Sequence, residues 1–429
     1  MDSSDWLQRD INSVWHGFTQ MQAYPNNEPV IVESGEGNYL IDINGKRYLD
    51  AISSLWVNTL GHGVAELNEA LTTQARKIAH STMLGNSNSV TIEFAEALQK
   101  VVPVDRARFV FASDGAAAVE QALKIAFQYW TNRGVHTKST FLAFGDAYHG
   151  DTIGSLSVGA GGFGTEIFDP LRFDVIRAPS FRDPDALTVA ARLVREHADR
   201  LAAVIVEPLV QGAAGMQMAP ADSFAQLQHA CGETGVLLIC DEVATGFGRT
   251  GTMFASEQCD LTPDLICIGK GITGGYLPLS ATGVAQHVWE AFLGPDLSER
   301  TLYHGHSYSG NALACAVGLR HLQLMQEREV LANVRAQARH LDLHLEAARN
   351  HPGVREVRWI GLVAAVELDD GGDELIARKV CAEMTRNGVL CRSLGAAVTI
   401  VPPLVVTADE IAHIVAAMIT SIDNVRNEP

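Results

Sequence analysis

The sequence predicts an α/β fold: a large domain on a mostly parallel sheet flanked by helices, with a smaller α+β domain beside it. Three observations lead there. The chain has 429 residues, more than one hydrophobic core usually serves. Between about residues 107 and 270, short runs that are apolar throughout alternate with helical stretches, as in a sheet buried on both faces. After Asn311 the pattern changes to long helical stretches with isolated strands.

Taken in order, residues 37–50 (GNYLIDINGKRYLD) alternate apolar and polar side chains around Asn44-Gly45 and read as a β-hairpin. Strands are expected at 108–112, 140–144, 173–177, 202–208, 236–242 and 265–269, with helices at 116–132, 183–201 and 223–233 between them. Helical stretches at 312–327 and 330–350 lead into a strand at 357–368. A helix at 374–387, a strand near 397–401 and a helix at 408–425 complete the chain. The expected division is 1–55, a segment whose hairpin packs on the small domain; 56–322, the large domain; and 323–429, the small domain.

Hydrophobic residues make up 47% and charged residues 19%, which excludes a disordered chain. The net charge of −18 disfavours nucleic acid as a partner, though not a small anion held by local cations. Seven cysteines without a C-x-x-C fit reduced thiols and a cytoplasmic setting. The first ten residues, MDSSDWLQRD, do not read as a signal peptide, and no apolar run is long enough to span a bilayer.

Two charged side chains stand where apolar strands end. Asp241 follows VLLIC, and Lys270 follows LICIG. Ligands of open α/β sheets bind at that edge. Burial there lowers a lysine's pKa from about 10.4, and the neutral amine can then attack an aldehyde to form a Schiff base. A buried carboxylate keeps a pyridine nitrogen protonated, and lysine with an aspartate partner is the signature of pyridoxal phosphate sites. A plain buried ion pair explains the two residues alone about equally well. Ser113-Asp114-Gly115-Ala116 opens a helix after the strand RFVFA, so its N–H groups can hold a phosphate or merely be capped. GAGGFG (159–164) and GFGRTG (246–251) match a dinucleotide fingerprint only as patterns, since neither sits between a clear strand and a clear helix. His149, His304 and His306 lack metal-ligand spacing, so no metal is expected.

Seven blocks resemble the class III (fold type I) aminotransferases over nearly the whole chain. They are HGFTQM (16–21), SDGAAAVEQALK (113–124), YHGDTIGSLSV (148–158), VEPLVQGAAGM (206–216), LICDEVATGFGRTG (238–251), GKGITGG (269–275) and HGHSYSGNALACA (304–316). The resemblance is strongest to the branch that makes 7,8-diaminononanoate from 8-amino-7-oxononanoate in biotin synthesis. It implies pyridoxal 5'-phosphate in the large domain, S-adenosylmethionine or lysine as amino donor, and a homodimer with the active site at the subunit interface. It implies that Lys270 is the Schiff-base lysine, that Asp241 contacts the ring nitrogen, and that Tyr148 and Val243 flank the ring. Gly115 and Ala116 would hold the phosphate, with Ser307 reaching it from the other subunit. Substrate would meet Phe18, Leu55, Trp56, Gly305 and Arg392 besides Tyr148 and Lys270, with Arg392 taking the carboxylate of the keto acid. Three positions depart from the pattern. Ala116 replaces the family's usual serine, while Phe18 and Leu55-Trp56 stand where the members that use S-adenosylmethionine tend to have a tyrosine and a tryptophan pair. Leu55-Trp56 looks more like the ω-amino acid or amine:pyruvate aminotransferases, the alternative activity.

Overall fold

The protein's computed structural model describes residues 3–160 and 164–427. It forms two compact units, Ala65–Arg335 and Met1–Val64 with Ala336–Pro429.

The larger unit is organised by a seven-stranded sheet. Its spatial order is Arg108–Ala112, Ser280–Val284, Leu265–Ile268, Leu237–Asp241, Leu201–Val206, Thr140–Phe144 and Ile176–Ala178. The last five run parallel to one another, and Ser280–Val284 runs antiparallel to both its neighbours. Every residue of Leu201–Val206, Leu237–Asp241 and Leu265–Ile268 is buried, which is why these strands are apolar without alternation. The 18-residue helix Gly115–Asn132 covers one face. Its Ala118, Ala122 and Ala126 share a core with Ala203, Ile239 and Cys267. These short side chains let the helix lie close to the sheet, while Ile125 and Ile239 each contribute about 2 kcal/mol through burial. Trp130 Nε1 donates to the carbonyl of Ala202 at 2.8 Å and fastens the far end of the helix.

Two strand expectations are corrected. Ser280–Val284 was not foreseen, because SATGV is small and polar; its side chains are small for a steric reason. A Cβ on Gly283 would come within 2.8 Å of Ile266 Cγ2. The single strand expected at 357–368 is two, Val354–Ile360 and Val363–Leu368, paired antiparallel around Gly361 at φ 54°.

The smaller unit holds two four-stranded sheets. One joins Val32–Glu36, Tyr39–Asp42, Arg47–Asp50 and Val389–Leu390; the hairpin turns at Asn44-Gly45, and Arg47–Asp50 pairs in parallel with Val389–Leu390. The other runs Val354–Ile360, Val363–Leu368, Ala397–Ile400, Arg392–Leu394. Helices Ile376–Arg386 and Ala408–Asn427 contribute Val380, Met384, Ile414 and Met418 to its core. No helix among the described residues is long and apolar enough to cross a membrane. All seven cysteines are free thiols, six of them buried.

The turn carrying Leu55 and Trp56 is strained. Ser53, Ser54 and Trp56 have φ of 53°, 61° and 63°, each an uncommon conformation for a side-chain-bearing residue. Asp50, fully buried, holds it: both carboxylate oxygens accept from the Ser54 N–H (3.0 and 2.9 Å), and Oδ2 lies 2.9 Å from His62 Nε2. Asp50→Ala strands these donors and releases the turn. It is expected to lower unfolding free energy by about 3 kcal/mol, read from denaturant midpoints.

Candidate active site

The carboxyl ends of three adjacent strands, Leu201–Val206, Leu237–Asp241 and Leu265–Ile268, each lead into a charged side chain: Glu207, Asp241 and Lys270. Parallel strands place their carboxyl ends on the same edge of the sheet. These groups therefore converge in a partly dry crevice.

Asp241 is 5% exposed. Its Oδ1 accepts the Val243 N–H at 3.0 Å, and its Oδ2 lies 2.7 Å from Nδ1 of the buried His149. With the carboxylate ionised, Nδ1 carries the proton. Two donors thus orient the carboxylate.

Lys270 opens the short 3-10 turn Lys270–Thr273 with φ 44°, a left-handed residue at the tip of its strand. Burial lowers its amine to about 8; the charges of Asp241 and Glu207 pull it upward, and Arg249 pushes it down. Arg249 is itself 3% exposed.

The helix Gly115–Asn132 begins beside these groups. Asp114 caps it by accepting the Ala117 N–H at 2.9 Å, and Ser280 Oγ donates to the Asp114 carbonyl at 2.5 Å. The N–H groups of Gly115 and Ala116 belong to the first turn and have no acceptor within the helix. Val243 brings the parts together: a Cβ on Gly115 would sit 2.6 Å from its Cγ1, and one on Gly269 3.3 Å from the same atom. Gly115, Val243, Asp241 and the Lys270 turn are therefore one cluster. Tyr148, half-buried, donates from its hydroxyl to Asp151 at 2.9 Å and from its N–H to Glu207 Oε2 at 3.1 Å.

The other expected residues lie elsewhere. Gly305 and Ser307 are exposed on the loop before Asn311. There they meet the 80–84 segment: a Cβ on Gly305 would touch Leu84, and the Ser307 carbonyl accepts from His80 Nε2 at 2.7 Å. Phe18, Leu55, Trp56 and Arg392 belong to the smaller unit. Phe18 and Leu55 are 62% and 45% exposed, Trp56 is buried, and Arg392 is exposed at the start of its strand. Of the two glycine patterns, residues 161–163 of the first lie outside the described residues. The second is followed only by the five-residue 3-10 turn Ala255–Cys259, not by a phosphate-binding helix.

Sequence reasoning missed Glu207, Arg249 and the role of His149. For Glu207 the signal was present, since a carboxylate directly after the apolar run LAAVIV stands where Asp241 stands after its own. His149 gave none, because only the fold brings the residue after Tyr148 onto Asp241, 92 positions away.

Known proteins resemble this chain over nearly its whole length. The family model for aminotransferase class-III matches residues 21–422. An adenosylmethionine-8-amino-7-oxononanoate aminotransferase from Nitratidesulfovibrio vulgaris is 42% identical, covering 95% of this chain and 79% of the relative. The crystal structure of an enzyme of that name from Methanocaldococcus jannaschii superposes with a TM-score of 0.94 at 36% identity, covering 99% of both chains. An amine transaminase from an uncultivated Pseudomonas species, solved in its PLP-bound form, superposes with a TM-score of 0.88 at 32% identity, covering 96% of this chain and 98% of the other.

Proposed function

The chain belongs to the class-III aminotransferases and is a pyridoxal-phosphate-dependent enzyme, and we propose that it converts 8-amino-7-oxononanoate to 7,8-diaminononanoate in biotin synthesis, with S-adenosylmethionine or lysine as amino donor. The relative from Nitratidesulfovibrio vulgaris, 42% identical over most of its length, is the observation that carries this reading.

The residues fit the cofactor. The open first turn at Gly115 and Ala116 offers two N–H donors and a helix dipole to a phosphate. Ala116 supplies no hydroxyl, so the backbone carries that end. Val243 occupies the space a side chain on Gly115 would need, so its apolar side chain packs directly on the start of the helix. A buried carboxylate suits a pyridine nitrogen, and an amine held near 8 suits an aldehyde. When bound, pyridoxal phosphate supplies an aldehyde that exchanges amines and a ring that takes up the electron pair of the substrate carbon.

The chain's own residues do the rest. Asp241, oriented by Val243 and His149, would hold the proton on the ring nitrogen. Tyr148 and Val243 would flank the ring. Lys270 would hold the aldehyde and, as a neutral amine, could move a proton at the substrate carbon. Phe18, Leu55 and Trp56 of the smaller unit and Gly305 of the larger are the candidates to meet the aliphatic chain, and Arg392 is the candidate to hold the keto acid's carboxylate with its two-pronged guanidinium.

We read the enzyme as a cytoplasmic homodimer whose Ser307 reaches the other subunit's phosphate. Exposed Leu84, Tyr303 and Tyr308, between 60% and 68% accessible around that loop, support a second copy there.

A donor screen tests the assignment. S-adenosylmethionine, lysine and simple ω-amines are each offered with 8-amino-7-oxononanoate, and with pyruvate as rival acceptor. Turnover with pyruvate alone would replace the proposal with the amine:pyruvate activity that Leu55-Trp56 resembles. In the same assay Arg392→Ala is expected to raise KM for the keto acid roughly tenfold to a hundredfold, leaving the donor half-reaction near normal. An unchanged KM would remove Arg392 from the site.

A further inference from the structure

We propose that Glu207 is a positioning residue of the active site: its carboxyl group ties the Tyr148 backbone to that of Gly212 and thereby sets both the tyrosine ring and the imidazole that grips Asp241. The proposal rests on the reading above, in which Tyr148 and Asp241 face the cofactor.

The segment 145–150 needs holding. Asp146 is left-handed at φ 56°, an uncommon conformation for a residue with a side chain. It is held from one side by the segment 207–212. Gln211 Nε2 donates to the Gly145 carbonyl at 2.8 Å, while its Oε1 accepts from Phe181 N–H at 3.0 Å. Glu207 Oε2 accepts the Tyr148 N–H at 3.1 Å, and its Oε1 accepts the Gly212 N–H at 3.1 Å. Two residues of VEPLVQG thus clamp the two ends of the stretch Gly145–Tyr148. The next residue, His149, reaches Asp241. A small shift at Tyr148 would move both the ring and the imidazole.

The clamp calls for a carboxylate. Two N–H groups need two acceptors, and glutamine offers one oxygen and one donor. A purely structural tie has no reason to place a charge in a 7% exposed position beside Asp241. Burial and the neighbouring Asp241 push Glu207 up to about 7, His149 and the two N–H groups pull it down, and its charge reaches Lys270, where Arg249 opposes it. Glu207 therefore acts on the site by geometry and by charge.

Two measurements on Glu207→Gln test this, with Glu207→Ala as a second variant should the first not fold. In the cofactor-free protein, amide hydrogen exchange at Tyr148 or Gly212 is expected to quicken about tenfold, because one N–H loses its acceptor. In the holoenzyme, the pH midpoint of the cofactor's absorbance is expected to fall by about one unit, because a negative charge near Lys270 is gone. Lower thermal stability with wild-type exchange at both amides and an unmoved midpoint would overturn the proposal and leave Glu207 a fold residue. Failure of the parent reading shows separately, as the absence of borohydride-fixed cofactor on Lys270 in the unmodified chain.

Discussion

Lys270→Ala is expected to lose turnover by about 10^4-fold or more, the largest effect of any single substitution in the chain. On the proposed reading the lysine has two duties that no neighbour can take over: it would hold the aldehyde, and it would move the proton in the chemical step. Its placement explains why one side chain serves both. It follows a fully buried strand, turns with φ 44° into the crevice, and stands within the field of Asp241 and Glu207. Burial brings its amine down to about 8. At pH 7 a far larger share of such amines is uncharged than of an ordinary lysine, whose value is about 10.4. The sign follows: the neutral amine is the nucleophile, so capture of pyridoxal phosphate by cofactor-free protein should rise with pH through about 8 and level off above it. Stopped-flow absorbance reads that rate. The alanine variant should still bind the cofactor through the helix terminus but carry no borohydride-fixed adduct, and small added amines should restore part of the activity. Turnover within tenfold of the unmodified enzyme would remove Lys270 from the chemistry.

Much of this was legible before any coordinates, and the exceptions have physical causes. Strands 108–112 and 140–144 could be placed to the residue because each is a short apolar run between helical patterns. Asp241 and Lys270 stood out because a charge at the end of a buried strand is costly and so seldom accidental. Ser280–Val284 escaped because hydrophobic patterning records which faces are dry, not how closely two backbones approach. Gly283 is there to let Ile266 and Phe109 in, and a small side chain carries no periodic signal. Val354–Ile360 and Val363–Leu368 merged for the opposite reason: Gly361-Leu362 sits inside one continuous apolar stretch that hides its turn. His149 shows the limit for a site. Its partner is defined by strand order, which single-sequence periodicity does not contain.

Asp241→Asn is expected to cost about 10^3-fold in turnover, and it isolates charge from shape. The amide is nearly the same size as the carboxylate. Its oxygen can still accept the Val243 N–H, and its NH2 can face His149 Nδ1 once the imidazole moves its proton to Nε2. Packing and the fold should therefore survive, with a thermal midpoint close to that of the unmodified protein. On the proposed reading, what is lost is the negative charge that would keep the ring nitrogen protonated, and with it most of the ring's capacity to take up an electron pair. The two steps of the reaction should respond differently. Attachment at Lys270 uses the aldehyde rather than the ring nitrogen, so borohydride should still fix cofactor on the lysine. Proton transfer from the substrate carbon should slow by nearly the whole factor, which a deuterium substitution at that carbon would report as an enlarged isotope effect. Combining Asp241→Asn with His149→Ala should add little further loss, since the imidazole acts through the carboxylate it orients. Full additivity of the two would instead give His149 a separate role, and turnover of Asp241→Asn within tenfold of the unmodified enzyme would show that the buried carboxylate does not serve the ring at all.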